Sequence, residues 1–132
     1  MPRHRQETPT EVELEILQVL WKREPATVRE VVDVLNKTRP RAYTSILGML
    51  NVMYEKGLVV RENEGRAYLY RTSKSREKTL GGVVKDLLRR AFEGSTTSLI
   101  TQVLEQSKPT TQELAEIRKA ISAWQRKEGN NV

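Results

Sequence analysis

The chain has 132 residues, 37% hydrophobic and 30% charged, and its 23 Lys and Arg against 17 Asp and Glu leave a net charge of +6. It has no cysteine and one histidine, His4, which excludes disulfides, thiol catalysis and metal sites built from Cys/His clusters. No apolar run approaches the roughly 18 residues that span a bilayer, and the first eleven residues lack the apolar stretch of a secretory signal. The expectation is a cytoplasmic protein of one domain or two very small ones, with no membrane insertion and no cofactor.

The first element is announced by "TPTE", residues 8–11. Thr8 reads as the cap, Pro9 as the first helical residue and Glu11 as the side chain that reaches back to the cap. A helix over about 9–22 then presents Leu14, Leu17 and Trp21 on one face, with Ile16 and Leu20 alongside. Pro25 disfavours helix at Glu24 and ends that segment. "TVRE", Thr27 to Glu30, repeats the capping box and opens a helix over about 28–36, with Val28, Val31, Val32 and Leu35 on its apolar face.

A third helix is expected from about 42 to 56. Ile46, Leu47, Leu50, Met53 and Tyr54 follow helical spacing, and Gly57 serves as the C-terminal cap. The pattern then changes. "GLVVRENEGRAYLYRT" reads as strands over about 58–62 and 67–71, joined by a turn at Asn63, Glu64 and Gly65, with Tyr68 and Tyr70 on one face. Three helices followed by a β-hairpin is the element order of a winged helix-turn-helix. The expected fold class is mainly α with a small β-hairpin wing.

Residues 72–78 are polar and read as a link, which places the domain boundary between 1–72 and 73–132. Beyond it, helical periodicity runs through Leu80, Val83, Val84, Leu87, Leu88 and Ala91, and Gly94 and Ser95 break it. A helix near 96–106 and another over about 111–127, opened by a third box at "TTQE" (Thr110 to Glu113), complete the second half. The tail after 126 is expected to fray. A domain of about 55 residues buries too little surface to be secure alone. The stripe Leu80, Val84, Leu87, Leu99, Val103, Leu114, Ile117, Ile121 and Trp124 is therefore expected to pair with a second copy, giving a homodimer. The alternative is that these helices fold back on the first domain.

Charge points to the partner. Residues 41–76 carry 7 basic and 3 acidic side chains, whereas residues 1–40 are balanced at 7 and 7. In that basic stretch lies an unusual helix face. Thr44, Gly48, Asn51 and Glu55 fall at i, i+4, i+7 and i+11, one continuous stripe bordered by Ser45. An exposed helix face usually carries long residues of high helix propensity, and Thr, Ser and Gly there are each less favourable than Ala. Small residues suit the DNA major groove, about 12 Å wide, because they let the helix axis sit deep. Arg41, Ala42, Tyr43, Thr44, Ser45 and Gly48 are the expected groove-facing and flanking residues, with Arg39 before them. Arg66 at the hairpin tip is expected to touch the phosphate backbone. The partner so implied is double-stranded DNA. A rival reading makes the same fold a protein-interaction module with an ordinary solvated face. No enzyme is expected, since there is no Gly-rich phosphate loop and no acidic pair placed for a pocket.

Three stretches, "TPTEVELEILQVLW", "AYTSILGMLNVMYEKGLV" and "EGRAYLYRTSKSRE", resemble the penicillinase-repressor (BlaI/MecI/CopY) family over residues 8 to 124. The resemblance implies a dimeric transcriptional repressor with an N-terminal winged helix and a C-terminal helical dimerisation domain, binding palindromic operators. In the β-lactam resistance branch, it further implies a membrane sensor protease pathway that ends in repressor cleavage at an Asn-Phe bond. Aligning "SLITQVLEQ" with that motif puts Gln102 and Val103 at the bond, a departure from the pattern. The copper-responsive branch uses C-terminal cysteines, which this chain lacks.

Overall fold

The computed structural model describes residues 8–129. His4 and the last three residues of the tail lie outside them. The elements in chain order are α1 (Glu11–Lys22), α2 (Val28–Leu35), α3 (Tyr43–Lys56), β1 (Val59–Glu64), β2 (Ala67–Thr72), α4 (Arg76–Phe92), α5 (Thr96–Ser107) and α6 (Thr111–Gly129). The expected class, mainly helical with a two-stranded antiparallel hairpin, is the one observed.

The first cap differs from its expectation by two residues. Thr10, not Thr8, caps α1: its hydroxyl accepts from the Glu13 backbone N–H at 3.2 Å, and the Glu13 carboxylate accepts from the Thr10 N–H at 2.9 Å. The sequence holds two overlapping boxes, Thr8 with Glu11 and Thr10 with Glu13. A distant partner decides between them. Lys56, at the end of α3, donates to both Glu13 carboxylate oxygens at 2.9 Å, and Glu13 is 1% exposed. Thr27 and Glu30 form the second box as expected. At the third, the Thr110 hydroxyl accepts from the Glu113 N–H at 3.1 Å.

Two compact units are present, residues 1–86 and 87–132, with the division inside α4. The wing itself ends at Thr72 and α4 begins at Arg76, so the polar link is three residues long. The first part of α4 belongs to the first unit. There, the Thr8 hydroxyl donates to Asp86 at 3.0 Å.

The core of the first unit is built from Ile16, Leu17 and Leu20 of α1, Val31, Val32 and Leu35 of α2, and Ile46, Leu50 and Met53 of α3. Val59 and Tyr70 of the hairpin close it. Leu14 and Trp21, expected on the inner face of α1, pack only at its margin. One strand-like segment has no counterpart in the sequence pattern. Ala26 pairs with Tyr70, Ala26 N–H donating to the Tyr70 carbonyl at 3.1 Å and Tyr70 N–H to the Ala26 carbonyl at 2.8 Å. Nearby, the Glu24 carboxylate accepts from the N–H and hydroxyl of Thr72. The base of the wing is thereby tied to the α1–α2 connection.

The second unit contains the end of α4, then α5 and α6. Its helices bury no residue completely. Leu99, Leu114 and Ile117 are half-buried, while Leu87, Ile100, Val103, Ile121 and Trp124 are exposed, Trp124 by 63%. No helix among the described residues is long and apolar enough to cross a membrane.

Candidate nucleic-acid interface

Helix α3 follows α2 after a seven-residue connection and starts at Tyr43, with Ala42 at its cap position. The cap carries no side-chain hydrogen bond, so the free N–H groups of the first turn stay available to an outside acceptor. Ile46, Leu50 and Met53 fix the inner face of α3 in the core. That leaves Thr44, Ser45, Gly48, Asn51 and Glu55 exposed together on the outer side. Gly57, at φ +84, ends the helix in the left-handed conformation that glycine adopts without strain.

Gly48 is the informative member of the stripe. A Cβ placed on it meets no heavy atom within 4 Å. Nothing inside the protein requires the absence of a side chain there. A glycine within a helix is about 1 kcal/mol less favourable than alanine, a cost that no contact inside the helix's surroundings offsets.

Tyr43 is exposed, with the Arg29 guanidinium 4.7 Å from its ring centroid. Arg41 stands just before α3, as expected, but its side chain is engaged. Its guanidinium turns back to α1 and contacts Glu15 at 3.2 Å, and its backbone N–H donates to Asn36. Arg39 pairs with Glu15 at 3.0 Å and Glu11 at 3.3 Å. Both arginines thus flank the start of α3 while engaged with acidic partners on α1. A sequence reading could not see those partners, 24 to 28 positions away.

The hairpin is tighter than expected. Glu64 pairs with Ala67, leaving a two-residue turn, Gly65-Arg66, with Gly65 at φ +65. Two-residue hairpin turns of the favoured types require a positive φ at that first position. Arg66 is exposed at the tip. One arginine takes a role the sequence does not signal. Arg61 on β1 stands over the Tyr54 ring of α3 at 4.0 Å and the Tyr68 ring of β2 at 4.2 Å, and donates to the Asn51 side-chain carbonyl at 3.1 Å. Tyr54, expected in the apolar set of α3, instead belongs to this cluster.

Gln102 and Val103 lie in the middle of α5, both exposed and both helical.

The chain is similar in sequence to known proteins. The family model described as penicillinase repressor matches residues 9–123. Transcriptional regulator BlaI of Mycobacterium tuberculosis is 29% identical over 122 residues, covering 91% of this chain and 87% of that protein. The penicillinase repressor of Bacillus licheniformis is 26% identical over 108 residues, covering 82% of this chain and 84% of that one. The solution structure of the DNA-binding domain of the repressor BlaI matches at 29% identity and a TM-score of 0.49, over 58% of this chain and 90% of that domain. With a family model matching it from residue 9 to 123, the chain belongs to the penicillinase repressor family.

Proposed function

We infer that this protein is a transcriptional repressor that binds duplex DNA as a homodimer, α3 entering the major groove and the wing tip meeting the adjacent backbone. The observation that carries the reading is the exposed small stripe of α3, centred on a Gly48 that no internal contact explains. Family membership supports it independently. Thr44 and Ser45 supply hydroxyls for base edges or phosphates, and Ala42 a methyl group for thymine. Tyr43 flanks them, and Arg66 supplies a backbone contact. Arg41 reaches a phosphate only by exchanging its Glu15 partner for it.

The exposed apolar side chains of α4, α5 and α6 support pairing of two copies. Leu80, Val84, Leu87, Leu99, Val103, Leu114, Ile117, Ile121 and Trp124 form the proposed interface. Two linked units address an inverted repeat whose half-sites lie about one helical turn apart, or a multiple of it. Loss of pairing removes the tethered second contact, and with it most of the avidity. Proteolysis within the dimerisation helices, at the Gln102–Val103 bond or elsewhere, under a membrane sensor protease is one way to relieve repression of resistance genes.

The test is a titration of duplexes from the region upstream of the protein's own gene. Wild type should bind, and affinity should fall steeply as salt rises, because phosphate contacts release counterions. Thr44→Glu should abolish binding and leave the molecular mass unchanged. Failure of wild type to bind any duplex at low salt would favour the protein-interaction module instead.

A further inference from the structure

Arg61 sits where the wing meets α3. It lies on β1 directly opposite Tyr70, with Tyr68 one step along the same face of β2. Tyr70 is fully buried, and the Tyr68 and Tyr70 rings meet edge to face at 6.2 Å. This face of the hairpin is therefore anchored in the core at one end. Arg61 bridges to α3 through two contacts, the Tyr54 ring and the Asn51 amide, and holds the Tyr68 ring of its own hairpin as a third. Its charge faces two aromatic faces at once, each about 4 Å away. That geometry favours a planar guanidinium, which stacks, over a lysine ammonium.

Its hydrogen-bond acceptor adds a second consequence. Asn51 belongs to the exposed stripe of α3. A free asparagine can present both its carbonyl and its amide to adenine, accepting and donating together. Here the carbonyl oxygen already accepts from Arg61, which fixes the amide's orientation and leaves its N–H groups as the uncommitted end.

We propose that Arg61 is a positioning residue for DNA recognition: by holding Tyr54, Tyr68 and Asn51 together it sets the angle of the wing against α3 and the orientation of the Asn51 amide. The proposal rests on the DNA-binding reading above. It places Arg61 apart from Arg66, whose role is direct contact with the duplex backbone.

The experiment uses the full-length protein and has a part without DNA. Amide hydrogen exchange of residues 59–72 should quicken about tenfold in Arg61→Lys and in Tyr54→Leu, because either change opens the sandwich. In Tyr54→Phe, which keeps the ring, exchange should stay as in wild type. Unchanged exchange in both opening variants would overturn the proposal, whatever happens with DNA. The second part measures binding to a duplex from the upstream region of the gene across a salt series. Arg61→Lys should bind about tenfold more weakly although its charge is kept, with the salt slope unchanged. Tyr54→Leu should lose a similar factor, and the double variant should lose no more than either single one. Wild-type affinity in Arg61→Lys, or a slope reduced by about one in Arg61→Ala, would mark Arg61 as a simple phosphate-contacting charge and overturn the proposal. Quickened exchange with no duplex bound by wild type would instead overturn the DNA reading and leave the positioning contact standing.

Discussion

Replacing Gly48 should move stability and function in opposite directions. The residue sits inside α3 with open space where a Cβ would go. Gly48→Ala therefore introduces no clash and removes the backbone entropy penalty of glycine. The gain expected is about 1 kcal/mol, the usual Gly-to-Ala difference in a helix interior. For a domain of this size it corresponds to about 4 °C in midpoint temperature. Gly48→Gln keeps most of that gain, since Gln is also a good helix former. Its long side chain, however, projects from the middle of the stripe and holds the helix away from the groove floor. Duplex affinity should drop at least about tenfold, the discrimination that a single bidentate pairing with a base supplies. The assays are thermal unfolding at a fixed protein concentration and fluorescence anisotropy with a labelled duplex. Gln binding as tightly as wild type would refute groove insertion of this face. Destabilisation by Ala would show that the glycine answers an internal need, and its smallness would then say nothing about DNA.

Other perturbations test separate parts of the molecule. Lys56→Met strips the ammonium from a carboxylate that is almost fully buried, and should destabilise the fold by about 3 kcal/mol; a loss under about 1 kcal/mol in urea unfolding would mean the pair does not hold α1 against α3. Arg66→Ala should weaken binding to all duplex sequences alike and lower the salt slope by about one, and a loss confined to a single base position would contradict a backbone contact at the wing tip. Ile121→Asp places a charge on the proposed pairing face, so light scattering should report half the wild-type mass at micromolar concentration. An unchanged mass would refute that interface.

How much of the molecule is legible in the sequence depends on how local the cause is. The Thr27 box, the Gly57 cap and the apolar spacing of α3 are written within four or five residues of where they act, and each can be read directly. The start of α1 is ambiguous by two residues because Thr8 and Thr10 both precede a Glu by three. Lys56, 43 positions away, selects the second box. The Ala26–Tyr70 pairing is likewise a contact across 44 residues, in a segment too short for any alternating pattern. The stripe of α3 is visible as spacing alone. The partners of Arg39 and Arg41 are not, since the acidic side chains that hold them lie on α1. In the sequence, Arg61 registers only as diffuse positive charge. Its place opposite Tyr70 and beside Tyr68 is set only when the strands pair, and Tyr54 joins only once the hairpin is folded onto α3.

The hairpin is welded at its root, through Ala26, Glu24 and Tyr70, while its outer half, Glu62 to Tyr68, is exposed and turns over at Gly65 and Arg66. Such an arrangement separates what must stay fixed from what is free to drift. Lengthening the apex by a pair of residues, or exchanging Arg66, leaves the foundation intact and alters only reach and charge. Sequence change in that loop therefore has a route that puts no demand on folding.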